Sequence, residues 1–136
     1  MFFKKEKNEN DDLTKVAALL IHAAKIDENF SINEEKIIKK ALLGIGANNE
    51  NIEIIFTYGK KVEENSNQIL DFTKEVKNMD EQNKIKIVET LWRVIYSNNE
   101  ADIYETNLMR RLTGLLYIDS KLMGDIKEKI KKEILK

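Results

Sequence analysis

Two stretches, Asp27-Glu28-Asn29-Phe30-Ser31-Ile32-Asn33-Glu34 and Asn98-Asn99-Glu100-Ala101-Asp102-Ile103-Tyr104-Glu105, share one pattern. In each, oxygen-bearing side chains stand at the first, third, fifth and eighth places, with an apolar run before and an amphipathic run after. Ser31 and Glu34 fit a capping box, in which the hydroxyl accepts the N–H of the third helical residue and the carboxylate accepts the N–H of the cap. Asp102 and Glu105 hold the same two places in the second copy. Both octets therefore read as bends that end one helix and start the next. Leu20 and Leu91 match in the helices that precede them, so the chain contains two related helical hairpins, residues 13–45 and 85–116.

Working outward, apolar residues recur at three- and four-residue steps throughout. Leu13, Val16, Ala17, Leu20, Ala23 and Ala24 draw the inner stripe of a first helix from Asp12 to Lys25, with Lys15, Ala18, His22 and Lys25 on its outer face. The second helix, capped by Ser31, carries Ile37, Ile38, Ala41, Leu42 and Ile45 and stops at Gly44 and Gly46. A third helix holds Ile52, Ile55, Phe56, Tyr58 or Gly59, and Val62, and the stretch from Glu63 to Asn67 reads as a hinge. Ile69, Phe72, Thr73 and Val76 mark a short fourth helix. The fifth, capped by Asp80, is the most apolar, so periodicity places it at the centre with Lys86, Thr90, Arg93 and Ser97 facing out. Leu108, Leu112 and Leu115 turn a sixth helix inward. Ser120 can cap a seventh, whose Met123, Ile126, Ile130 and Ile134 lie opposite a lysine-rich face.

The expected fold is therefore all-α, a bundle of about seven helices in one domain over residues 1–136, with residues 1–11 as a polar leader. Composition agrees. The 136 residues include no Pro and only 5 Gly, too few turn formers for an all-β chain. No Cys is present, which excludes disulfides, thiolate metal sites and a cysteine nucleophile. Charge is balanced, 23 Lys and Arg against 24 Asp and Glu, so no net field draws the chain to nucleic acid or an acidic membrane. No apolar run approaches the roughly 20 residues of a membrane span, and a cytoplasmic location is the expectation.

The bends carry the strongest chemical signal. Asp27, Asn29 and Glu34, with Asn98, Glu100, Asp102 and Glu105, are hard oxygen donors suited to a divalent cation. An EF-hand is excluded, because its glycine place holds Ile32 or Ile103 and its bidentate glutamate place holds Ile38 or Met109. Helix capping alone also accounts for Ser31, Glu34, Asp102 and Glu105. Catalysis has little to work with: His22, the one histidine, falls on the outer face of its helix, and Trp92 belongs to the core. The lysine face of the last helix is interleaved with Asp125, Glu128 and Glu133, so a solvated surface explains it better than nucleic acid does.

The second bend and its surroundings, Leu91-Trp92-Arg93-Val94-Ile95-Tyr96-Ser97 followed by the octet and Leu108-Met109-Arg110-Arg111-Leu112, resemble the tellurite-resistance TerB family. That family repeats an apolar helix, Asp-Gly-Glu, an N-cap and a helix-starting Glu. Asp71-Phe72-Thr73 extends the resemblance through the middle of the chain. It implies a cytoplasmic all-helical stress-response module with acidic, metal-associated bends, no established catalysis, and a protein partner, a membrane-associated one included. The chain departs from the pattern at Glu28, Asn29, Asn98 and Asn99. Fewer carboxylates remain, and Glu28 takes a left-handed backbone less readily than Gly.

Overall fold

The computed structural model describes residues 9–25, 31–66, 69–97 and 103–135, with the side chains of 12–25, 31–66, 69–97 and 107–134. Among these residues there are seven helices and no strand: α1 (Glu9–Ala24), α2 (Ile32–Gly44), α3 (Ile52–Glu64), α4 (Leu70–Lys77), α5 (Glu81–Tyr96), α6 (Ile103–Leu115) and α7 (Ser120–Leu135). The expected all-helical order is the observed one. α1 starts at Glu9, three residues ahead of Asp12. Residues 1–8 of the expected leader lie outside the described residues.

The centre of the bundle is α1, where periodicity favours α5. Every residue from Val16 to Ile21 is buried, as are Ala23 and Ala24, and α2, α3, α4 and α5 all pack against the helix. Ala18 belongs to this core and not to an outer face. Alanine was the misleading residue: it adds little to an apolar stripe, yet its small side chain lets a neighbouring helix come close on any side. A close approach falls at Gly59 of α3, which is buried where Tyr58 is exposed. A Cβ built on Gly59 would stand 2.7 Å from Ala17 Cβ.

α5 is largely buried as well. Thr90 is inside, its hydroxyl donating to Lys86 O at 2.8 Å, so the polar group needs no water. Trp92 is a core residue as expected, stacked on Tyr96 with the Lys127 ammonium 5.4 Å above its ring. The helix ends follow local chemistry. Asp80 accepts from Asn83 N at 2.8 Å and caps α5. At the end of α2, Gly46 has φ +136° and Ala47 N donates back to Leu42 O at 3.0 Å, which closes the helix. α6 closes similarly, Ile118 N donating to Thr113 O at 3.0 Å, but the positive φ of 57° falls on Tyr117. The cap of α7 is Asp119 instead of Ser120: its carboxylate accepts from Lys121 N and Leu122 N at 3.0 and 3.2 Å. Glu63 and Glu64 are helical, so the stretch read as a hinge begins inside α3.

α7 lies along α5, and ion pairs flank the apolar seam. Lys129 Nζ donates to Glu89 at 2.7 Å, and Arg93 forks onto Glu133 at 2.7 and 3.2 Å. Lys129, a cation of the expected lysine face, is thus spent on α5–α7 packing. Hydrogen bonding from Arg93 holds the Glu133 carboxyl below its ordinary value of 4.5 and raises the guanidinium in turn.

Two outcomes test these contacts. Gly59→Ala should destabilise the chain by about 1–3 kcal/mol in denaturant unfolding, because overpacking against Ala17 outweighs the ~1 kcal/mol gain in helix propensity; a stabilised variant would contradict the close approach. The Glu133 contribution is complete above pH 4.5 and is lost as pH falls through the lower folded-state value. Glu133→Gln should therefore lose less stability than the parent between pH 4.5 and 2, by a small margin since both groups are partly exposed; parallel acid profiles would remove the pair from the account.

Candidate functional site

The first bend is held at both of its ends. Before it, Lys25 Nζ donates to Glu63 Oε1 at 2.7 Å, and His22 Nδ1 lies 3.2 Å from Glu63 Oε2. His22 is therefore not a free solvent-facing side chain: it is half-buried, bridging α1 to the end of α3, with its ring tilted against Phe72 at 6.1 Å. Sequence reasoning missed this cluster because Glu63 is distant in the chain and sits in the stretch read as a hinge. Lys25 shares the same carboxylate, so the cluster fastens two helix ends.

After the bend, the capping box is complete. Ser31, with extended backbone at φ −97° and ψ 166°, accepts from Glu34 N at 3.1 Å, and Ser31 N donates to Glu34 Oε1 at 2.8 Å. Glu34 is 1% exposed, an uncommon position for a carboxyl group. Its second oxygen, Oε2, lies 3.5 Å from Ser97 Oγ at the end of α5. The Ser97 hydroxyl has one proton and donates it to Val94 O at 2.7 Å, so the longer contact is polar proximity at the limit of hydrogen bonding. Ser97 is the residue that leads into the second octet. The start of α2 and the end of α5 therefore meet.

Of the residues singled out by sequence, Glu34 is the one whose side chain the structure describes. Asp27, Asn29, Asn98, Glu100 and Asp102 lie outside the described residues, as does the side chain of Glu105. Among the described residues no group of three or more His, Cys, Asp or Glu side chains could hold a metal ion. A second charged cluster flanks α2: Lys39 contacts Glu35 at 2.7 Å and Glu53 of α3 at 2.9 Å, with Phe56 beneath its ammonium at 4.9 Å. The hydrogen bond that Lys39 donates to Glu35, joined by those to Glu53, raises the lysine above its ordinary value. Among the described residues, no helix is long and apolar enough to cross a membrane.

Among the described residues the chain is a bundle of seven helices with a buried glutamate at the capped start of α2, an all-helical module. Residues 13–128 match the family described as tellurite resistance protein TerB, and the chain belongs to that family. Neither the curated proteins nor the solved structures include a match.

Proposed function

We propose that this TerB-family chain is a non-enzymatic binding module whose two bends present carboxylates to a divalent cation or to a basic protein surface. The observation that carries this reading is Glu34. A carboxyl group removed from water is costly unless its oxygens are engaged, and this one reaches from the first bend to Ser97, beside the second. Adjacent bends can pool ligands that neither holds in sufficient number alone. Asp27, Asn29 and Glu34 from one side, with Asn98, Glu100, Asp102 and Glu105 from the other, would hold the ion.

The donor set fits a hard cation. It is entirely carboxylate and amide oxygen, which suits Ca²⁺, Mg²⁺ or Mn²⁺ over Zn²⁺, a metal that favours the nitrogen and sulfur ligands these bends lack. The bound ion would supply charge neutralisation and rigid bends. Glu34 has one oxygen, Oε1, committed to the Ser31 N–H. A rigid acidic rim also suits a protein partner with a basic surface, membrane-associated partners included, and the family description supports a stress-response setting.

A second reading follows from the same hydrogen bonds. The capping box already satisfies Ser31 N and Glu34 N, so the bends could serve only to start helices while the module acts as an adaptor.

Titration separates the two. Ca²⁺, Mg²⁺ and Mn²⁺ at millimolar concentration should raise the melting temperature and shift amide resonances flanking both bends, since an ion bound only by the native state stabilises it by about 2.7 kcal/mol at one hundred times its Kd. Glu34→Gln with Glu105→Gln should weaken binding at least tenfold. Unchanged melting and spectra would leave the capping reading.

A further inference from the structure

A groove of about 530 Å³ runs between α2 and α5. Its origin is visible in α2. Ile38 and Leu42 enter the core, but Ile37, Ala41 and Ile45, one face over, stay half-buried and form one wall. Leu20 and Ile87 supply the apolar floor. Among the described residues nothing covers this stripe.

The rim is charged, and the charges do not balance. Glu133 accepts from Arg93, and Glu89 accepts from Lys129 just outside the groove, so each rim carboxylate has its own cation. Lys40 and Lys86 are additional. Lys86 Nζ donates to Gly44 O at 3.3 Å, which holds its ammonium at the C-terminal end of α2 without neutralising it. The groove is thus an aliphatic slot with surplus positive charge at its mouth.

Volume decides what fits. The cavity matches the range of small-molecule sites, which are mostly apolar with a few placed polar groups. From Ile37 to Ile45 the wall extends about 12 Å at 1.5 Å per residue, long enough for a medium-length alkyl chain.

We propose that the α2–α5 groove binds a free, medium-chain fatty carboxylate, its alkyl chain along Ile37, Ala41 and Ile45 and its head between Lys40 and Lys86. The head gains charge-assisted hydrogen bonds while the tail leaves water. The site shares no residue with the acidic bends, so it stands whether or not those bind an ion.

The test is titration of the full chain with sodium decanoate below its micelle concentration, followed by amide resonances and melting temperature. Shifts confined to α2, α5 and the end of α7, with a raised melting temperature, are expected. Lys40→Gln with Lys86→Gln, both exposed positions, should weaken decanoate binding about tenfold, and Ala41→Met should block it by occupying the slot. Decanol should bind at least tenfold more weakly than decanoate. The proposal is overturned if decanoate leaves the groove resonances unmoved, if decanol binds equally well, or if the lysine variants bind as the parent does. Sedimentation with phosphatidylglycerol vesicles that the lysine variants abolish, without free-decanoate binding, would assign the groove to a membrane surface and overturn it too.

Discussion

A buried carboxyl group at the start of a helix constrains the rest of the molecule. Glu34 is removed from water, and an acid in that position must have its oxygens engaged. Local geometry provides part of this, because the Ser31 N–H faces Oε1 once the capping box forms. The other oxygen looks across the bundle to Ser97. A residue placed for local helix initiation thereby lies against the end of α5.

The helix that makes this arrangement possible is α1. It is buried on every side, and its alanines let α3 come close enough for Gly59 to be required opposite Ala17. With α1 in the middle, α2 and α5 can both lie against it and against each other, which brings Ser31, Glu34 and Ser97 to one place. The same packing leaves part of the α2 stripe uncovered and opens the α2–α5 groove. The bends and the groove are two consequences of one central helix.

The helices were legible in the sequence because their signals are local. Capping by Ser31 and Asp80, the stop at Gly46, and the inward residues of α4, α6 and α7 are set within a few positions of each residue. Depth was less legible. The large apolar side chains of α5 draw the eye to that helix, while burial follows the number of neighbours, and the small alanines of α1 are packed on every side. Thr90 was misplaced for a related reason: a hydroxyl bonded to its own helix can be buried at little cost. Pairings between distant residues, His22 with Glu63 or Arg93 with Glu133, have no local signature at all. For the bends, the sequence identified Glu34 as an acid of interest through its place in the repeat, whereas its burial and its approach to Ser97 depend on how α2 meets α5.

The link between the bends is measured most directly by a double-mutant cycle on unfolding stability with Glu34→Gln, Ser97→Ala and the combined variant. Residues in contact through a shared polar site should show a coupling of at least about 0.5 kcal/mol. Effects that add within about 0.3 kcal/mol would mean that Glu34 serves its own helix alone and that the bends are energetically independent.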